Sequence, residues 1–185
     1  EMVFGPDGTF SEWALRSRIN ADLANDLGNL FARSLGMAFK YRQGVVPAPQ
    51  DTQIEDDEVV FQAQEAAAEF LRLFPEFEFP KALARVWEFV GHLNRYIVAT
   101  APWELAKDEA ARPRLDTVLY HLLESLRWLA ALLAPVMPTS AAHMAERLGL
   151  GASLGAEPLP KTLDWGGLTP GTQLQKGAAL FPRLE

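Results

Sequence analysis

Apolar residues recur along this chain at steps of three and four, the signature of helices that each bury one face. Ser11 has the side chain of an N-cap, and Glu12 and Trp13 follow it into a first helix. Over about residues 18–42 the pattern predicts one long helix, with Ile19, Leu23, Leu27, Leu30, Ser34 and Met37 on a single stripe. Asp22, Asp26, Asn29 and Arg33 line one flank of that stripe, and Asn29 and Arg33 lie a turn apart. Gly28 sits beside them and costs roughly 1 kcal/mol against alanine in a helix interior, which points to a close backbone approach. The flank has two readings on pattern alone. Asp26 and Asn29 brace a neighbouring helix and Arg33 is an ordinary rim arginine, or Asn29 and Arg33 face a ligand.

The Gly/Pro-rich run 44–49 ends this helix. A second helix covers about residues 56–74. Its start, Glu55-Asp56-Asp57-Glu58, reads as solvated acid at the positive end of the helix dipole. A third helix opens near Pro80 and carries Leu83, Val86, Trp87, Val90, Asn94 and Ile97 on one face. Asn94 is polar on that face, which predicts an amide bonded to backbone across a helix junction. Pro113 or Arg114 opens a fourth helix, where Leu115, Val118, Leu119, Leu122, Leu123, Leu126, Leu129 and Leu133 keep helical spacing. A fifth starts at Pro138 or Thr139 and is closed by Gly149 and Gly151. Beyond this point helical spacing is lost, and 161–167 and 172–183 are predicted as short extended segments on the bundle. The expected fold is all-α, a bundle of about five helices with an irregular C-terminal tail.

Residues 94–107 join the third and fourth helices, and here the pattern breaks at Thr100-Ala101-Pro102. Pro102 is tolerated in a first helical turn, where its missing N–H would lack a partner anyway. Trp103 therefore stands at the start of a new short helix, with Glu104 and Lys107 suiting its positive and negative ends. A tryptophan at a rigid corner either caps a core or offers a stacking face. The same ring would also serve as the hot spot of a helical protein-interaction module, or belong to a domain that is purely structural.

A hydrophobic content of 49% in 185 residues supports one domain with a real core. No apolar run is long enough for a membrane helix, and the cytoplasm is the expected location. The absence of cysteine excludes disulfides and cysteine zinc sites. His92, His121 and His143 have no histidine four residues on, and no nucleophile elbow, P-loop or dinucleotide fingerprint occurs. No catalytic or metal-ligating residue and no cofactor is expected in this chain. A net charge of −7 argues against general nucleic-acid binding. It leaves room for a local site built of stacking faces and a few arginines, as RNA loop readers use.

Several stretches together resemble the C-terminal half of methionyl-tRNA synthetases, class I aminoacyl-tRNA synthetases. They are the run Asn20-Ala-Asp-Leu-Ala-Asn-Asp-Leu-Gly-Asn29, then Arg33, Lys40-Tyr41 and Gly44-Val-Val-Pro47. They continue with Asn94-Arg95-Tyr96, Ala101-Pro-Trp-Glu-Leu-Ala-Lys107, Leu133-Ala-Pro-Val-Met-Pro138 and Leu180-Phe-Pro-Arg183. The resemblance implies an anticodon-binding domain over 11–150, the end of a linker from the catalytic half at 1–10, and a tail over 151–185. The signatures HIGH and KMSKS of the catalytic half are not in the sequence, so the chain is expected to be a fragment. ATP, with magnesium, would belong to the parent ligase. The partners implied are elongator and initiator tRNA(Met) and the catalytic half of the same chain. By motif position, Trp103 would stack on the first base of the CAU anticodon, Pro102 would shape the corner, and Asn29 and Arg33 would read base edges. Arg95, Lys107, Arg112 and Arg114 are candidates to guide the phosphates, by nearness in sequence.

Overall fold

The computed structural model describes residues 11–151, 159 and 163–184. Helix α1 (Glu12–Arg18) begins at Ser11, whose hydroxyl accepts the Ala14 N–H at 3.3 Å. The chain then stays helical to Arg42, but not as one α-helix. Ile19–Gly28 winds as a π-helix before α2 (Asn29–Arg42) resumes α spacing. Gly28 fits this junction: a Cβ there would lie 2.9 Å from the Leu23 carbonyl oxygen and 3.4 Å from the Phe181 ring. A π-helix turns each residue through a smaller angle than an α-helix, so the polar flank divides. Asp22 pairs with Arg18 at 2.5 Å, on a different face from Arg33.

Helices α3 (Ile54–Leu73) and α4 (Phe79–Thr100) form a hairpin. Phe74 seals its turn, stacked on Phe70 and edge-on to Phe79, each at 4.8 Å between centroids. The short α5 (Pro102–Leu105) follows, then a single 3-10 turn (Glu109–Ala111), α6 (Arg112–Leu133) and α7 (Pro138–Arg147). With the run from Glu12 to Arg42 counted as one, the long pieces make the expected five-helix bundle. Helix α6 is its axis. Every residue from Thr117 to Leu133 is buried, not only the leucine stripe. Helices α2, α3, α4, α5 and α7 all pack against it, and the tail adds Leu163, Trp165, Leu168 and Leu174 to the same core.

An axis buried all round must satisfy its polar groups internally. Two carboxylates do this. Asp56 is fully buried rather than solvated. It accepts from Arg114 and Tyr96, and its carboxyl closes a capping box with the Gln53 N–H at 2.8 Å. Burial alone would push this carboxyl up. The hydrogen bonds from Arg114, Tyr96 and Gln53 outweigh it and hold the group below the usual carboxylate range. The triad ties α3 to α4 and α6, which the acidic run at residues 55–58 gave no reason to expect.

The second carboxylate, Glu124, organises the tail. It accepts from Arg127 at 2.9 and 2.6 Å, from the Trp128 indole at 3.3 Å, and from the N–H groups of Gly166, Gly167 and Leu168 at 2.9, 3.1 and 2.9 Å. A Cβ on Gly167 would stand 2.6 Å from the Arg127 guanidinium carbon, so the turn needs glycine there. Residues 163–167 are therefore turns around a buried acid, not an extended segment. The second predicted segment is extended only at its start, where Gln173 bridges Val45 antiparallel and Leu174 N–H donates to the Gly44 carbonyl at 2.7 Å. Its end clasps the π-helix. Arg183 donates to Asn25 at 2.8 Å, and Asn20 holds the N–H and carbonyl of Leu184 at 2.9 Å each. Asn94 does not cross a junction. Its amide donates to the Val90 carbonyl one turn back, at 3.2 Å. Lys161, Thr162 and the linker reading of 1–10 lie outside the described residues.

Candidate nucleic-acid interface

The corner after α4 is held by its backbone. Thr100 donates to the Tyr96 carbonyl at 2.7 Å, and Ala101 takes a left-handed conformation, φ 41°. A non-glycine residue there stores strain on the order of 1 kcal/mol. Pro102 then starts α5 and is buried beneath the corner. Trp103 emerges beside it, 39% exposed, and its indole N–H has no partner among the described residues. The ring is exposed at the corner and is not among the residues packed on the core.

Across from this ring runs one face of α2. Arg33, Gly36, Met37, Lys40 and Tyr41 are spaced at three, four, seven and eight from Arg33, two turns of one helical face. With Trp103 they line a shallow cleft of about 320 Å³. Arg33 is half-buried and has no carboxylate partner among the described residues. Gly36 is exposed, and a Cβ there would meet nothing within 4 Å. A mid-helix glycine costs about 1 kcal/mol against alanine, and the fold gains nothing from this one. The open floor is what it supplies to the cleft.

The four site residues read from the sequence are placed differently. Arg33 and Trp103 share the cleft. Asn29 is exposed one turn before Arg33, outside the cleft lining, with its amide unbonded to any described residue. Pro102 sits behind the ring. Gly36, Met37, Lys40 and Tyr41 are additional. Their spacing from Arg33 was the available signal, and Lys40-Tyr41 already stood among the motif residues.

The charges sort in the same way. Most described cations sit on a carboxylate: Lys107 on Glu104 at 2.8 Å, Arg112 on Glu109, and Arg114 on buried Asp56. Three of the four residues considered as phosphate guides are thus balanced locally. The fourth, Arg95, lines a different groove. Among the described residues, four cations on or against α2 are not balanced by a carboxylate: Arg33, Lys40, whose ammonium is 5.2 Å from the Tyr41 ring centre, Lys176, 5.3 Å from Phe39, and Arg147, which lies over Phe31 at 4.8 Å and donates to the Ala178 carbonyl. Only Arg33 and Lys40 of these line the cleft, so in a chain of net charge −7 the cleft face of α2 is locally positive.

A larger groove, about 1060 Å³, lies between the α1–π run and α4. Leu15, Ile19, Leu23, Leu83, Trp87 and Met137 make it apolar, and Arg18 is paired with Asp22. The Trp87 indole donates to the Asp22 carbonyl at 3.3 Å and is spent inside the fold. The groove has the character of a packing surface. The cleft sets the apolar surface of Trp103 and Met37 beside the cations Arg33 and Lys40.

Among the described residues no helix is long and apolar enough to cross a membrane. Residues 56–177 match the family described as the anticodon-binding domain of tRNA ligase. That span includes Trp103 but begins after Asn29 and Arg33. The chain is 43% identical over 185 residues to a methionine–tRNA ligase of Caldanaerobacter subterraneus, and 44% identical over 186 residues to that of Deinococcus radiodurans. It spans 28% and 27% of their lengths. The fold superposes on apo methionyl-tRNA synthetase of Mycobacterium tuberculosis with a TM-score of 0.91 at 36% identity, covering 100% of this chain and 37% of that one. The same enzyme bound by methionyl-adenylate gives a TM-score of 0.90, covering 98% of this chain and 35% of that one.

Proposed function

Because the chain belongs to the anticodon-binding domain family of tRNA ligases, we propose that its Trp103–Arg33 cleft selects tRNA(Met), elongator and initiator alike, by the CAU anticodon. The carrying observation is the pairing of an exposed indole face with an unneutralised guanidinium across one cleft. A splayed base stacks on Trp103, and base–aromatic stacking is worth about 1–3 kcal/mol per base. Arg33 donates to the base edge from the opposite wall, and Asn29 offers a free amide one turn along the same helix. Pro102 contributes by fixing the corner rather than by contact.

The domain takes part in no bond-making step. Activation of methionine with ATP and magnesium and its transfer to the tRNA 3′ end belong to the remainder of the parent ligase, an enzyme of the cytoplasm. The apolar groove of α1, the π-helix and α4 is the seat of that remainder. Its apolar stripe of Leu15, Ile19, Leu23, Leu83, Trp87 and Met137 is rimmed by charged side chains, and the relatives carry far more chain than this one. Binding to tRNA(Met) and to the same tRNA with one anticodon base changed, at low salt first, tests the reading. Cognate tRNA is expected to bind more tightly. Equal affinity for both would overturn it.

A further inference from the structure

We propose that Lys40 holds a backbone phosphate of the bound anticodon loop, with the nucleotide crossing α2 over Gly36 and its base at Trp103. This rests on the reading of the cleft as an anticodon site. Seven residues separate Arg33 from Lys40 on one helical face, about 10 Å at 1.5 Å per residue. That matches the breadth of a nucleotide from base edge to phosphate. Between the two, Gly36 leaves its side of the helix open, with no atom within 4 Å of where a Cβ would point. A sugar–phosphate backbone needs such a floor to come close to a helix.

Lys40 is also the cation suited to the task. It is exposed and lines the cleft. Its ammonium stands 5.2 Å from the Tyr41 ring centre, a contact that positions it without neutralising it. Lys107 and Arg112, by contrast, already share their charge with Glu104 and Glu109. A lysine is a compact point charge that meets phosphate without demanding one orientation. The assignment divides the labour within one cleft: Trp103 and Arg33 carry sequence information, and Lys40 carries affinity that is blind to sequence.

The test is tRNA binding by the full-length ligase carrying Lys40→Gln, over a range of salt, with cognate tRNA(Met) and with a tRNA altered at one anticodon base. Thermal unfolding of the variant is the fold control. Lys40→Gln is expected to weaken both tRNAs by the same several-fold factor. It should also lower the slope of log affinity against log salt by about 0.7, the value for one single-strand phosphate. An unchanged slope, or a loss confined to the cognate tRNA, overturns the proposal. Trp103→Ala run alongside separates this from the site itself. If discrimination survives Trp103→Ala, the cleft reading fails. If it is lost while Lys40→Gln leaves the slope intact, only the phosphate assignment fails.

Discussion

Glu124→Gln tests the buried scaffold most sharply. The carboxylate is fully buried and takes six donors: two from Arg127, the Trp128 indole, and three consecutive backbone N–H groups of residues 166–168. Glutamine fills the same volume but offers one acceptor oxygen, and its amide turns two hydrogens toward donors. Arg127 is left as an unbalanced buried cation, and breaking one side of such a pair costs about 3–5 kcal/mol. For a domain of this size 1 kcal/mol moves the midpoint by about 2–4 °C, so the melting temperature should fall by about 6–20 °C. Urea unfolding gives the energy, and hydrogen exchange at Gly166, Gly167 and Leu168 locates it. Those amides should lose protection before the rest of the core. Adding Arg127→Met removes the stranded cation but not the stranded N–H groups, so it should recover only part of the loss. A loss below about 1 kcal/mol, or unchanged protection at 166–168, would refute the claim that Glu124 holds the tail.

Asp56 and Gly36 give further outcomes. Asp56 titrates below the usual carboxylate range when folded, so its contribution is full above the unfolded value near 3.8 and is lost as pH falls through the folded one. Urea midpoints should drop with acid in that window, and Asp56→Asn should flatten the drop while costing about 3–5 kcal/mol at neutral pH. Gly36→Ala should raise stability by about 0.5–1 kcal/mol in thermal unfolding, because nothing occupies the space it fills. Gly36→Leu should leave the fold intact but cut tRNA affinity by at least tenfold in a filter-binding assay, by covering the floor of the cleft.

The helices were readable because most bury one face. The stripes of α3, α4 and α6 needed no tertiary knowledge. The misreadings arise where a residue's environment comes from distant chain. Asp56 looked solvated beside three other acids, and only Tyr96 and Arg114, 40 and 58 positions away, make it a buried partner. Gly28 announced a close approach but not a π-helix, since the ring it admits, Phe181, belongs to the tail. The tail itself was unreadable as segments, because a single glutamate on α6 shapes its turn. At the cleft, Trp103 and Arg33 came from motif, and the structure joined them. Lys40 stood out only after the ion pairs of its rivals became visible, since charge balance is a property of space rather than of spacing.

The central claim is that Trp103 stacks on the first anticodon base. A double-mutant cycle tests it directly, crossing Trp103→Ala with replacement of that base by an abasic site, and reading binding free energy for all four combinations. Stacking predicts a coupling of about 1–3 kcal/mol between the two. Additive losses, with no coupling, would mean that the ring and the base do not meet.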